Sequence, residues 1–464
     1  MIPNLATHWE IEDDGRTFTF HLRRGVRWSD GHPFTSEDIL FWYELFYDKY
    51  DWQNRALPAL TAWVISRPPP GSPVTFRRNP YYWKVDSEGN QLPYIDEVGF
   101  HIFDNEIIAL RVLQGGVGMQ GRHISLANLP LLMEHRREGG YQVRTWEDSG
   151  GGALVLAPNL NHRDPVMAGI LNDRRFRIAL STGVDRDTLN RAGFFDLGTP
   201  RQVAPPPASA FYSPEYESAH LEHDPAEANR ILDGMGLEQR NKHGIRLRPD
   251  GRPLRLRIET TQGGRNHQML QLVADDWQNL GIDAEVRRHA RQLFTHRVSA
   301  RMHDVAVWSA ADTFFPLIGP GWFFPFDAHS YHAADWGRWF QTHGSEGQEP
   351  PPLIRRCMDL YREIEYEIDP ERRIEMFREI IELNRENLWA IGTIGDLPQI
   401  HIVSDTFRNV PSRAMAGWII RTPDNTAPEC YAIDPGGPDL PRTAGASRWN
   451  PHGITPGTSV RPAQ

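Results

Sequence analysis

The 464-residue chain is 39% apolar and 24% charged, an ordinary soluble globular composition with room for about two or three domains. A formal net charge of −10 without any basic block argues against duplex DNA or an anionic membrane surface as partner. No run approaches the roughly 18 consecutive apolar residues that a spanning helix needs.

The basic residues are nearly all Arg, with Lys only at Lys49, Lys84 and Lys242, and they are scattered rather than gathered into a phosphate-binding patch. Cysteine is sparse: Cys357 and Cys430 are expected to be free thiols, and the fold to depend on a large core. Met1 is followed at once by Ile2-Pro3-Asn4-Leu5, so no charged-then-apolar leader is read at the start of this chain.

In chain order, Phe18, Phe20 and Leu22 alternate with Thr17, Thr19 and His21, which predicts a half-buried strand. Turn residues follow at Gly25 and Asp30-Gly31. Thr35 with Asp38 forms a capping-box pattern ahead of Ile39, Trp42, Tyr43 and Phe46 at helical spacing. An irregular stretch around Pro68-Pro69-Pro70-Gly71 leads to Asn79-Pro80-Tyr81-Tyr82-Trp83. A strand is expected over 96–103 and a helix over 106–113.

The middle of the chain alternates between helix and strand signals. Asp173 and Asp185 each stand where a helix N-cap is needed, and Asp224-Pro225 pairs an N-cap with Pro at the first helical position. Leu254, Leu256 and Ile258 read as a strand; Leu270, Val273, Trp277 and Leu280 as a helix stopped by Gly281; Ile282, Ala284 and Val286 as a second strand. This βαβ unit implies parallel pairing. Residues 304–308 read as a further buried strand. Two amphipathic helices follow, one marked by Ile354 to Ile368 and one opened by Asp369-Pro370, and residues 422–464 are expected to be mostly loop.

Motif-borne catalysis is absent: there is no Walker loop, dinucleotide fingerprint, Cys-x-x-Cys, His-Glu-x-x-His or Gly-x-Ser-x-Gly. Gly150-Gly151-Gly152 lacks the strand-then-helix context of a phosphate loop. The nineteen histidines show no metal-ligand spacing along the chain, so neither a metal nor another cofactor is expected, and no catalytic residue is nominated.

Several stretches resemble the bacterial extracellular solute-binding proteins of oligopeptide, dipeptide and nickel ABC importers (family 5). They are Pro3-Asn4-Leu5-Ala6-Thr7-His8-Trp9-Glu10 and Leu22-Arg23-Arg24-Gly25-Val26-Arg27-Trp28-Ser29-Asp30-Gly31. Arg78-Asn79-Pro80-Tyr81-Tyr82-Trp83 and Phe176-Arg177-Ile178-Ala179-Leu180-Ser181 with Val184-Asp185-Arg186 are similar to further elements.

The resemblance implies a two-lobed α/β fold of the periplasmic-binding-protein kind (type II, peptide-binding cluster). The lobes would be hinge-linked, with a ligand cleft between them and the first lobe shortened. On this reading residues 1–156 and 396–464 form the first lobe and residues 157–395 the second.

The resemblance further implies a monomer that works outside the cytoplasm, capturing peptides or similar solutes for a membrane permease without enzymatic chemistry. Peptide-binding members place an Asp shortly after a Trp at a strand end, which nominates Asp312 for the peptide α-ammonium. Trp308, Trp322 and Phe323 are candidate cleft aromatics, and Asn159, at the first expected crossing between lobes, a candidate hydrogen-bond partner. A non-peptide solute (oligosaccharide, opine or metal chelate) is the alternative, with a glycoside hydrolase or a truncated non-functional paralogue further off.

Overall fold

The computed structural model describes residues 4–12, 17–39, 59–103, 107–262, 266–311 and 313–434. Its centre is a five-stranded sheet in the order β11-β10-β12-β8-β13, formed by β8 (Gly152–Pro158), β10 (Arg255–Thr261), β11 (Asp283–His289), β12 (Val305–Ala310) and β13 (Ile391–Gly392). The βαβ reading of the sequence holds. β10 pairs with β11 in parallel register from Arg255↔Asp283 to Thr261↔His289, with a helix over Asn266–Asn279 between them. β12 also runs parallel to β10, whereas β8 is antiparallel to β12 and to β13.

Both faces of this sheet are covered at its centre, so β8 and β12 read as nearly unbroken apolar runs, whereas β10 and β11 toward one edge alternate with charged residues. Leu154, Leu156, Val305 and Val307 point to one face, into a core with Phe176, Leu180, Leu232, Val273 and Trp277. Val155, Ala157, Ala306 and Ala310 point to the other, among Phe294, Phe323, Phe324, Met358, Phe377 and Ile380.

The helices that supply these side chains start where the sequence places caps. Asp173 accepts from Arg175 N, Asp185 from Thr188 N, Asp224 from Glu227 N and Asp369 from Glu371 N. Each such cap satisfies an amide the helix leaves unpaired, a contribution of about 1 kcal/mol. The buried Arg177 guanidinium closes the far end of the 370–387 helix, donating to the carbonyls of Asn387 (3.1 and 2.7 Å) and Leu388 (3.1 Å), where a cation is favoured by the helix dipole.

A second sheet, in the order β17-β7-β15-β6, comprises β6 (Met119–Gln120), β7 (Tyr141–Asp148), β15 (Gln399–Ser404) and β17 (Met415–Ala416). β7 and β15 pair antiparallel from Gln399↔Trp146 to Ser404↔Tyr141. Two short helices, Ile108–Leu113 and Leu129–Glu134, cover one side through Val112 and Leu132. A meander of β3 (Trp63–Arg67), β4 (Val74–Arg78) and β5 (Glu97–Phe100) stands beside it, and the hairpin β1 (Ala6–Glu12) and β2 (Thr17–Leu22) makes a separate two-stranded sheet.

Two expectations are corrected. The strand over 17–22 is not half-buried: Phe18 and Phe20 are 50% and 55% exposed, because among the described residues the hairpin has no layer packed on its apolar face. Residues 422–434 are not loose either. Glu429 is buried and takes Lys84 Nζ at 2.6 Å and the Tyr82 hydroxyl at 3.3 Å, while its carbonyl accepts from Tyr94 N, so this segment clamps the meander. Beyond residue 434 the expected tail lies outside the described residues, as does most of the helix expected after Thr35, although its capping contact from Thr35 N to Asp38 Oδ2 is present at 2.6 Å. Both cysteines are free.

A candidate ligand cleft at the chain crossings

The two main sheets are joined by short crossings. β7 ends at Asp148 and β8 begins at Gly152, so Ser149-Gly150-Gly151 carries the chain from one sheet to the other. β14 (Ile394–Gly395) is followed at once by residues 396–398 and β15, which carry it back.

Strand direction decides where these crossings lie. β10, β11 and β12 share one C-terminal edge, and because β8 is antiparallel its N-terminus, with the first crossing, falls on that same edge. The second crossing abuts the first, since a Cβ on Gly395 would stand 3.2 Å from the Gly151 carbonyl oxygen. Ligands of open α/β sheets bind outside the C-terminal strand ends, which makes this edge the candidate cleft.

The crossings are packed backbone to backbone, and this explains the glycine run. A Cβ on Gly150 would lie 2.7 Å from Ala310 O. One on Gly151 would meet Ala204 O at 2.7 Å and Thr313 Oγ1 at 2.9 Å. Gly151 N donates to Ala310 O (2.8 Å), Phe314 N to Ser149 O (3.0 Å) and Ser149 N to Ala416 O (2.9 Å). Asp148 braces both strands, accepting Gly150 N at 3.0 Å through Oδ1 and Gln399 Nε2 at 3.0 Å through Oδ2.

Arg201, fully buried, pins the second crossing. It is ion-paired with Asp396 and with Glu217 (2.9 Å) and donates to the carbonyls of Ala204 and Pro205 at 3.0 Å each. Tyr212 donates to Glu217 Oε2 at 2.6 Å, and this bond to a carboxylate pushes its pKa up to about 12.

Beside the crossings stand exposed apolar groups. Trp418 follows β17 and is 71% exposed, with the Arg122 guanidinium 5.0 Å above its ring. From the other sheet's side, Phe314 and Phe315 pack edge to face at 4.6 Å, and Phe315 and Ile318 are exposed. The two sides touch where Ile419 lies against Gly319. Among the described residues, Asp148, Asp396 and Glu217 at the crossings are engaged in hydrogen bonds or ion pairs.

The residues nominated from sequence separate. Asp312 lies outside the described residues; its chain neighbours Ala311 and Thr313 are at the first crossing. Trp308, half-buried, is one rung of a ladder in which Phe294, Trp308, Tyr331 and Trp322 stack at 5.8, 5.8 and 5.3 Å. Arg291, two residues past β11, sits 5.5 Å over Trp308, so this rung lies toward the cleft edge. Trp322, the last rung, is buried, as is Phe294 at the other end.

Phe323 is fully buried against Phe377 and belongs to the core. Asn159 is at the far end of β8 and not at a crossing. It is fully buried there, giving Nδ2 to His303 O (2.8 Å) and taking Asn161 N (3.1 Å). Sequence reasoning missed Arg122, Asp148, Arg201 and Trp418; the glycine run was the one available signal. A groove of about 1470 Å³ lined by Asn161, Arg177, Trp336, Pro350 and Trp389 also lies at the Asn159 end, away from the crossings.

Two sheets joined by paired crossings, with exposed aromatic side chains at the strand ends, match the two-lobed type II periplasmic-binding-protein fold. The chain belongs to the bacterial extracellular solute-binding proteins of ABC importers. The model for "Bacterial extracellular solute-binding proteins, family 5 Middle" matches residues 1–59 and 46–328.

Among solved structures the chain is similar to an oligopeptide-binding protein OppA, at 32% identity and a TM-score of 0.72, covering 93% of this chain and 84% of that one. It is similar to the periplasmic alpha-galactoside-binding protein of Rhizobium meliloti (strain 1021), 22% identical over 90% of this chain and 72% of that protein. The dipeptide-binding protein of Escherichia coli (strain K12) is 20% identical over 62% of this chain and 63% of its own length. These relatives are binding proteins. No helix among the described residues is long and apolar enough to cross a membrane.

Proposed function

We propose that this protein captures short peptides in the cleft at the crossings, outside the cytoplasm and as a monomer, and hands them to an ABC permease without chemical change. The observation that carries this is the coincidence of three features on one edge: the C-terminal strand ends, both glycine-packed crossings, and the exposed Trp418, Phe315 and Ile318. Closure about the crossings would bury those apolar groups against ligand. Asp312 is assigned the peptide α-ammonium and Arg291, Trp308 and Arg122 the rim. The first lobe comprises the residues up to the 149–151 crossing and those after 396. We read the boundary a few residues before 156, because β8 from Gly152 onward is a strand of the five-stranded sheet.

A second reading has its own support. A solvent-facing indole is a stacking platform for a sugar ring, and the relative of Rhizobium meliloti, which binds an alpha-galactoside, aligns over 90% of this chain. Calorimetric titration with mixed tri- to pentapeptides and with α-galactosides separates the two. Peptide binding that Asp312→Asn removes supports the first reading. α-Galactoside binding that survives Asp312→Asn and is lost in Trp418→Ala supports the second. Absence of both interactions from a folded protein would sink the proposal.

A further inference from the structure

We propose a divalent transition-metal site on the N-terminal hairpin, formed by His8, Glu10 and His21 and separate from the solute cleft. The imidazole-rich donor set selects an ion of the zinc, nickel or copper kind over magnesium or calcium.

The register of two strands brings these residues together. His8 and Glu10 are two apart on β1 and so share a face, and His21 of β2 pairs directly with His8. One ligand atom from each residue lies within 4.8 Å of the other two. Donors around a tetrahedral zinc ion at about 2.0–2.1 Å are about 3.4 Å apart, so the widest of these separations needs to close by at most about 1.4 Å. All three face solvent, where such a rotamer adjustment is unhindered. The His8 and His21 rings are already stacked at 3.9 Å and nearly parallel, and His21 Nε2 and Glu10 Oε1 are 3.0 Å apart.

A supporting contact orients the first ligand. The pairing is irregular between Ala6 and His8, a bulge that leaves Thr7 able to reach both neighbours. The Thr7 hydroxyl donates to His21 O at 3.0 Å, so its oxygen accepts from His8 Nδ1–H at 3.1 Å. That arrangement fixes the proton of a neutral His8 on Nδ1 and leaves Nε2 with a free lone pair, the way outer-shell partners set the tautomer of metal-bound histidines. A neutral His21, whose Nε2 now meets Glu10, accommodates a cation between the two by moving its proton to Nδ1. Water completes the coordination, leaving an open position.

Spacing along the chain conceals the site: His8 and His21 are thirteen residues apart, and only the hairpin register pairs them. An ion there would bind β1 to β2, a two-stranded unit that is otherwise marginal in water.

The test uses the full chain freed of metal with a chelator and titrated with zinc chloride alone. One zinc should bind to the wild type. His8→Ala and His21→Ala should each weaken it at least about tenfold, and His135→Ala, on a distant His–Glu pair, should leave it unchanged. Zinc should also slow hydrogen exchange of the amides in 6–12 and 17–22, a readout independent of overall stability. Equal zinc affinity and stoichiometry in the wild type and in His8→Ala/His21→Ala, or hairpin exchange indifferent to zinc, would overturn the assignment.

Discussion

Acidification from pH 7 to pH 5 is expected to destabilise both lobes through two buried histidines. His332 is fully buried, neither of its ring nitrogens has a hydrogen-bond partner among the described residues, and burial, reinforced by Arg177 and His303, lowers its pKa from 6.5 to about 4. His401 in β15 stacks on Trp146 at 3.9 Å, and burial lowers its pKa likewise to about 4.

Each folded-state pKa is depressed, so between pH 6.5 and 4 the unfolded chain takes up a proton that the folded one refuses. Stability is therefore fully present above pH 6.5 and falls as the pH drops toward 4. At pH 5 the loss is about 2 kcal/mol for each histidine relative to pH 7, or about 4 kcal/mol together. His123, His220 and His303 are shifted in the same direction by burial and add to it, whereas the raised Asp276 opposes it slightly. The carboxylates held low by partners, such as Asp86 at about 2, act only in more acid solution.

Urea unfolding followed by tryptophan fluorescence at pH 7 and pH 5 measures the loss. His401→Leu and His332→Leu should each remove about 2 kcal/mol of it. Because His401 lies in β15 and His332 in the turn packed beside the far end of β8, each variant should flatten the pH response of one transition if the lobes unfold separately. An unchanged pH slope in the double variant would refute the reasoning.

Three further outcomes follow from the crossings and the cleft. Gly392→Ala puts a methyl 2.3 Å from Arg201 O and 2.6 Å from Gln202 Cα, both backbone, and should cost about 1–3 kcal/mol in thermal or urea unfolding. Arg201→Met strands Glu217 and Asp396 near the second crossing and should cost about 3–5 kcal/mol, measured the same way. Trp418→Ala, at an exposed position, should change stability by no more than about 0.5 kcal/mol yet weaken solute binding at least about tenfold by calorimetry.

Where physics is local, the sequence was readable. Asp224-Pro225 and Asp369-Pro370 announce helix starts because the cap and the first-turn proline act within a few residues, and both are N-caps as read. The βαβ unit over 254–286 was legible because both periods are local too. What failed was long-range. Alternation reveals a strand but not its direction, so Asn159 was assigned to a crossing when the antiparallel course of β8 puts it at the opposite end. The same alternation in Phe18 and Phe20 cannot reveal whether a layer covers them. Segment 422–434 opens the Pro- and Gly-rich stretch that runs to residue 464 and so looks like loop, and only its partner Lys84, 345 positions away, makes Glu429 a clamp. The Gly150-Gly151 pair was visible, but its reason, the approach of Ala204, Ala310 and Thr313, exists only in the fold.

The central claim is capture of a small solute at the crossings. Its most direct test is mass spectrometry of molecules released by denaturing the purified chain, run in parallel on Trp418→Ala. The account predicts short peptides, or oligosaccharides on the second reading, released from the wild type and depleted in the variant. A folded wild type that releases nothing and binds neither class on titration, or a solute retained equally by Trp418→Ala, would contradict it.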